Sequence, residues 1–466
     1  MKRLLSSLKG AKPESRFFIS LWFRFFAPEA GVPLPVADIA KMLAVADIAK
    51  MLGVSKNVVM SSLAYMTTEG FFERSHIHLG VRVGRPTSQY FATNKLLAVL
   101  SDDEQPRFHA GLIEELHSNN HQHLTLSNRL LLCVFLLHAN EFGLVENLGF
   151  SVIAQMTGMS NDQFNSQLDK LSRLGYLKKL SSGVTSKVIF GSRPSIYLLD
   201  ITNERFSSAM FRSVTCEQAI STEEHQHTLN ELISLSNNGL VSFSHLQQKD
   251  DDDSKTIRAN AYAQCRKRFA MAIGIEGAES SWIFFIELSR KPALKKFLFE
   301  KILLTVAQSA ISRRELNQEW LTQLSISFCQ ELQPVFLKQG KVLIGKDHAE
   351  EIDKNGKKSH VDEREPGDEV DLFDTTDLSV FAEVLVRCVI FPAVKTLKYK
   401  IAILKKHFKA PFQFAFLLDE KAEGVIEIKR PLDIYCLYPI SNGPYEKRVC
   451  FVGGEVHPIG TNVETD

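Results

Sequence analysis

Side chains able to do chemistry gather in three places along this 466-residue chain. The first is a scatter of metal-ligand types: His117, His121 and His123 in HSNNHQH, His225 and His227 in EEHQH, and the pair His76 and His78. They have no partnering cysteines and no H-x-x-x-H spacing on an apolar helix, so they read as polar linker histidines, and no metal or cofactor is expected. The second is FAFLLDEKAEGVIEIKR (414–430), where Asp419 on one strand is followed across a short turn by Glu427 and Lys429 on the next. Alternation of this kind also describes any half-exposed strand. The third place holds hydrogen-bonding side chains without a nucleophile: Lys56, Asn57, Met60, Ser61 and Ala64, then Asn161, Asp162, Gln163, Asn165 and Ser166. Such sets suit recognition rather than bond making. No Walker loop, Rossmann glycine set or G-x-S-x-G elbow occurs, which leaves ATPase, dinucleotide and serine-hydrolase chemistry without support.

The elements that position the third set are visible as an internal repeat at an offset of 105 residues. IAKMLGVSKNVVMSSLAYMTTEGFF from Ile48 aligns without a gap to IAQMTGMSNDQFNSQLDKLSRLGYL from Ile153. Ala49 and Ala154 are small enough to let a following helix approach closely. Gly53 and Gly158 mark a turn, and Ser55 and Ser160 stand where a helix needs an N-cap. Val59, Leu63 and Met66 pair with Phe164, Leu168 and Leu171, one apolar stripe per helix. Gly70 and Gly175 end those helices, followed by Phe71 and Tyr176 at the start of a strand. Each copy continues into a β-prone hairpin, HIHLGVRVGRPTSQYFAT (76–93) and SSGVTSKVIFGSRPSIYLLD (181–200), and each is preceded by an apolar helix, 15–27 and 127–139.

In this order of helix, turn, capped helix and hairpin, residues 13 to 200 resemble the winged-helix (helix-turn-helix) DNA-binding proteins of bacterial type. GRPTSQYFAT is similar to the wing of many bacterial repressors. The resemblance implies that the second helix of each motif enters the major groove, where donor and acceptor patterns distinguish all four base pairs. The residues expected to meet DNA are therefore Lys56, Asn57, Met60 and Ser61 with Arg82, Arg85 and Thr87 on the first wing. In the second copy they are Asn161, Gln163, Asn165 and Ser166 with Lys187 and Arg193. Charge agrees for the first copy: residues 1 to 100 carry 13 Lys and Arg against 6 Asp and Glu, although the whole chain sums to +1. Residues 101 to 200 carry 8 cations and 10 anions, so the second copy is expected to bind DNA weakly or to serve as a protein interface. The hairpin with Asp419, Glu427 and Lys429 resembles the D...E-x-K pattern of restriction-like nucleases, in which two carboxylates hold Mg²⁺ and the lysine assists the attacking water. The preceding Pro-Asp of that pattern is missing, and the chain is expected not to be an enzyme.

The predicted fold class is mainly α with α+β parts. Two tandem winged-helix domains (13–97 and 108–202) are followed by a helical middle region (203–345), a charged linker (346–377) and a C-terminal α+β domain (378–461). In that last domain Pro392 should break or kink a long helix. Seven scattered cysteines without a C-x-x-C pair read as buried thiols. No apolar run is long enough to cross about 30 Å of hydrocarbon and no secretory leader is seen. A cytoplasmic, nucleoid-associated protein is expected, with double-stranded DNA as partner and a homo-oligomer or protein contact formed through residues 203–461. One irregularity stands out: VADIAKMLA (36–44) is followed at once by VADIAKMLG (45–53). Nine residues at about 100° each turn a helix by two and a half turns, so either the helix is lengthened with Ile39, Met42 and Leu43 on a new face or the first copy forms a separate segment. That insertion is either a replication slip or a device that toggles DNA affinity. The function these features point to is a sequence-specific regulator, with a mobile-element replication initiator and a winged-helix-targeted nuclease as alternatives.

Overall fold

The computed structural model describes residues 1–25, 54–77, 87–101, 108–117, 121, 123–186, 188–207, 209, 211–220, 229–236, 252–312, 315–333, 375–408, 412–418, 432–439, 448–452 and 455–458. The duplicated stretch 36–53 and nearly all of 346–377 lie outside the described residues. The described part is mostly helical with some antiparallel sheet pairing, and it divides into two compact units. The first is Met1–Ser182 with Pro194–Arg212, and the second is Gly183–Arg193 with Ser213–Asp466.

Within the first unit the two sequence copies build their central helix alike. Helices α1 (Lys2–Ser7), α2 (Pro13–Phe25) and α3 (Lys56–Thr68) come first, then strands β1 (Phe72–Ile77) and β2 (Thr87–Ala92) and helix α4 (Asn94–Ser101). The second copy runs α5 (Ala110–His117), α6 (Leu126–His138), β3 (Leu144–Val145), α7 (Phe150–Thr157), α8 (Asn161–Arg173) and β4 (Leu177–Ser181). Ser55 caps α3 by accepting from the Val58 N–H at 3.3 Å, and Ser160 caps α8 by accepting from the Gln163 N–H at the same distance. The stripes Val59, Leu63, Met66 and Phe164, Leu168, Leu171 are all buried. Both helices then stop in a Schellman turn. Gly70 (φ 69°) and Gly175 (φ 75°) take the left-handed conformation that a side chain resists. The next N–H groups, of Phe71 and Tyr176, reach back to the carbonyls of Met66 (2.9 Å) and Leu171 (3.0 Å). Each bond brings a buried aromatic ring beside a buried aliphatic residue of the last turn.

A second likeness lies beyond the aligned segment. Lys95 Nζ donates to the carbonyl of Glu69, the C-cap of α3, at 2.6 Å and lies 4.4 Å from the centre of the Phe71 ring. Arg205 donates to the carbonyl of Leu174, the C-cap of α8, at 2.7 Å and lies over Tyr176 at 5.7 Å. Each copy thus closes with a cation that answers the negative end of its helix and covers the ring that follows it. The strands keep equivalent register: β1 pairs antiparallel with β2, Phe72 opposite Ala92, and β4 pairs with β7 (Ile196–Leu199), Leu177 opposite Leu199.

The copies pack on each other through α2 and α6. The Arg129 guanidinium lies 4.8 Å from the centre of the Phe17 ring, and Ser127 donates to Glu14 at 3.0 Å. Arg16 is almost fully buried and donates to three carbonyls, those of Ala11 (2.9 Å), Leu5 (3.0 Å) and Gln155. Two of these acceptors belong to the last turns of α1 and α7, so one guanidinium satisfies two helix ends. Gly158, the C-cap of α7, makes that approach feasible. A Cβ there would stand 2.7 Å from the Ala11 oxygen and 2.8 Å from Arg16 Nε.

The second unit has a five-stranded sheet of order β12-β11-β8-β10-β9, built from β8 (Phe211–Ile220), β9 (Phe414–Leu418), β10 (Leu432–Pro439), β11 (Arg448–Val452) and β12 (Glu455–Pro458). Strand β8 comes from the region expected to be a helical middle segment, and it is the central strand, parallel to β11. Regions 203–345 and 378–461 therefore share one sheet instead of forming separate bodies. Its helices are α9 (Asp252–Ile273), α10 (Trp282–Arg290), α11 (Pro292–Ile311), α12 (Gln318–Leu332), α13 (Thr375–Leu385) and α14 (Phe391–Phe408). Phe381 stacks on Phe284 with ring centres 4.8 Å apart and meets Phe285 edge-on at 5.0 Å. The expected break at Pro392 is met by a π turn, Val386–Ile390, directly before it: the Phe391 N–H reaches back five residues to the Val386 carbonyl, and the helix continues through the proline into α14. Among the described residues no single helix is long and apolar enough to cross a membrane, and the one pair that passes jointly is bent by 116°.

Gly70 and Gly158 separate conformational strain from steric crowding. Gly70→Ala meets open space and should cost only the left-handed penalty, about 1–2 kcal/mol. Gly158→Ala should cost at least about 1 kcal/mol more, because Arg16 and the Ala11 carbonyl must also move. Urea melts of the two variants measure the difference, and equal losses would refute the role given to Arg16.

Candidate nucleic-acid interface

The outward faces of α3 and α8 carry the residues singled out by spacing. Lys56, Asn57, Ser61 and Ala64 are exposed, and Met60 is 49% exposed despite its apolar side chain. Burial of Val59, Ser62, Leu63 and Met66 on the opposite side fixes this orientation. On α8, Asn161, Asp162, Gln163, Asn165 and Ser166 are exposed. Asn57 and Asn165 can each offer a donor and an acceptor to an adenine edge, while Met60 and Ala64 can cover a thymine methyl.

The two faces differ in charge. Helix α3 has a single charged residue, Lys56, and no carboxylate. Helix α8 exposes Asp162 and Asp169, which would face phosphate with the wrong sign, and Lys170 and Arg173 lie in its last turn. Gln163 is also partly committed: its Oε1 accepts from the Ser160 N–H at 3.1 Å, closing a capping box. A base contact by Gln163 would have to break that bond.

The hairpins part company more sharply. Arg82 and Arg85 lie outside the described residues, as does Lys187; Thr87 is described only by its place opposite Ile77 at the start of β2. In the second copy the hairpin β5 (Val184–Ser186) and β6 (Gly191–Arg193) belongs to the second unit, not to the domain expected over 108–202. Phe190 is buried with its ring 5.0 Å from that of Phe297 on α11, and its N–H donates to the Leu332 carbonyl at 2.7 Å. It holds a φ of 66°, an outlier for a bulky residue, sustained by that burial. Arg193 donates to the carbonyls of Glu331 (3.2 Å) and Gln333 (3.5 Å) at the end of α12. Arg193 is thus a helix cap within the second unit, and a wing contact by this residue would have to break those bonds.

Two of the histidines read as linker residues are corrected, while His78, His225 and His227 lie outside the described residues. His117 and His121 are buried. His121 lies 3.2 Å from the Tyr176 hydroxyl and 3.4 Å from the buried Glu115 carboxylate, and His123 lies 2.8 Å from the same hydroxyl. Glu115 also accepts from the Ser207 N–H at 2.8 Å. The spacing in HSNNHQH had no periodicity to announce this, because the partners come from α5 and from the residue after Gly175. Among the described residues no group of three or more metal-ligand side chains could hold an ion. The hairpin residues Asp419, Glu427 and Lys429 lie outside the described residues.

Desolvation holds His121 below its ordinary pKa of 6.5, against the opposing pull of Glu115, and burial does the same to His109 and His138. These rings are therefore neutral when folded and bind protons more readily unfolded. Their contribution is complete above pH 6.5 and is lost as pH falls toward the folded values. The melting temperature should drop between about pH 7.5 and about pH 5.5, and His121→Asn should shallow that drop. An unchanged pH slope in the variant would remove His121 from this account.

Comparison with protein-family models, with curated proteins and with solved structures finds no match to this chain.

Proposed function

We propose that residues 13–97 and, without the hairpin segment 183–193, residues 108–202 are tandem winged-helix domains, and that the chain is a sequence-specific double-stranded DNA-binding protein acting as a transcriptional regulator. The observation that carries this reading is the twofold recurrence of one device: a serine-capped helix, apolar on its inner side and polar on its outer side, ended by a Schellman glycine and followed by antiparallel strands. A helix so held presents a rigid row of side chains at the scale of the major groove, about 12 Å wide. The first copy is the principal reader. Its helix brings Lys56, Asn57, Met60 and Ser61 without a carboxylate, whereas α8 brings two aspartates and a hairpin engaged elsewhere. Contacts through residues 203–461 supply oligomerisation or a protein partner, and such a protein works at the nucleoid.

A mobile-element replication initiator is a second reading, favoured by the presence of two such helices in one chain. Capture and sequencing of genomic fragments separates the two. A palindrome at promoters supports the regulator, and iterated sites at an origin support the initiator. Recovery of no preferred sequence at moderate salt would refute both.

Charge reversal at Lys56 together with Arg85 should abolish retention on duplex DNA, with the slope of affinity against salt falling by about two. Asn57→Ala should instead cost about 1–3 kcal/mol on the preferred site and little on random duplex. Mobility-shift titrations at several salt concentrations measure both, and wild-type retention by the double reversal would contradict the assignment of α3.

A further inference from the structure

Helix α14 of the second unit has a face that its fold leaves unexplained. Its eighteen residues include Lys395, Lys398, Lys400, Lys405 and Lys406, and no Asp or Glu. Val394, Leu397, Ile401 and Leu404 are buried and anchor one side of the helix in the core. On the other side Lys395, Tyr399, Ala402 and Lys406 are all exposed, at intervals of four, three and four residues, and therefore lie along one line of the surface. Tyr399 is 69% exposed, more than any other large apolar or aromatic side chain among the described residues. Lys395 and Lys406 stand about 16 Å apart along the axis, on either side of this ring.

We propose that this face binds single-stranded nucleic acid, with Lys395 and Lys406 on phosphates to either side of an unstacked base that lies on the Tyr399 ring. Cations flanking a solvent-facing aromatic are the arrangement that tracks a flexible strand, because each base offers a π face whatever its sequence. A duplex keeps its bases stacked and gives Tyr399 nothing to cover. An anionic bilayer fits less well, since an interfacial helix needs an apolar face to insert and the aliphatic residues of α14 are occupied in the core. The site is independent of α3 and α8 and does not rest on the reading of the N-terminal unit.

The test uses the full chain carrying Lys56→Glu, so that α3 does not contribute, and a fluorescent oligothymidylate of about 20 nucleotides. Tyr399→Ala should weaken binding about tenfold, and Tyr399→Phe, which keeps the ring, should restore it. Lys395→Glu with Lys406→Glu should weaken binding further and flatten its salt dependence. Unchanged melting temperatures would show that these exposed substitutions leave the fold intact. Wild-type affinity in Tyr399→Ala, failure of Tyr399→Phe to restore binding, or capture of phosphatidylserine vesicles through the same residues without oligothymidylate binding would each overturn the proposal.

Discussion

The last carbonyls of an α-helix have no partner within the helix, and this chain answers that need with cations time after time. Arg16 serves the ends of α1 and α7, Arg129 reaches the Leu116 carbonyl of α5 at 2.5 Å, Lys95 and Arg205 close α3 and α8, and Arg193 closes α12. Two of these guanidiniums, Arg16 and Arg129, are nearly inaccessible to water. Burying a cation is costly unless it is hydrogen-bonded, so the position of Arg16 depends on three carbonyls converging at once. The packing of α1, α2, α6 and α7 around Arg16 and Arg129 follows from that convergence. Helix α3 is oriented separately, by its buried stripe and by Lys95 at its far end, while its polar side remains in water.

Much of the first unit was legible because the signals are local. A serine before a periodic helix, a glycine after it and an i, i+4, i+7 stripe are set by the geometry of one helix, and they recur at a constant offset. The clasp by Lys95 and Arg205 was not legible, since these residues are 110 apart and fall outside the 105-residue register. Their acceptors lie more than twenty residues earlier in the chain. Arg193 shows the opposite failure. Its sequence neighbourhood matches that of Arg85, yet its guanidinium meets helix α12 from 138 to 140 residues away.

Strand β8 is instructive in the same way. FRSVTCEQAI alternates apolar and polar residues only over Val214–Glu217, with Val214 and Cys216 buried, a short strand signal. It was absorbed into a helical region because its sheet partners, β10 and β11, arrive more than two hundred residues later. Local pattern can name such a strand but not its neighbours. The grouping of 203–345 with 378–461 is for that reason a long-range property.

The path of the chain constrains how this protein can be divided or rearranged. The polypeptide leaves the first compact unit after Ser182, contributes Gly183–Arg193 to the second, and returns at Pro194 before leaving again at Arg212. No single cut yields both pieces intact. A fragment ending at Arg212 would keep Phe190 but lose the helical residues that bury it, exposing an aromatic side chain held in a left-handed backbone. Division of the chain at that boundary would therefore strand the hairpin without the helix it packs on.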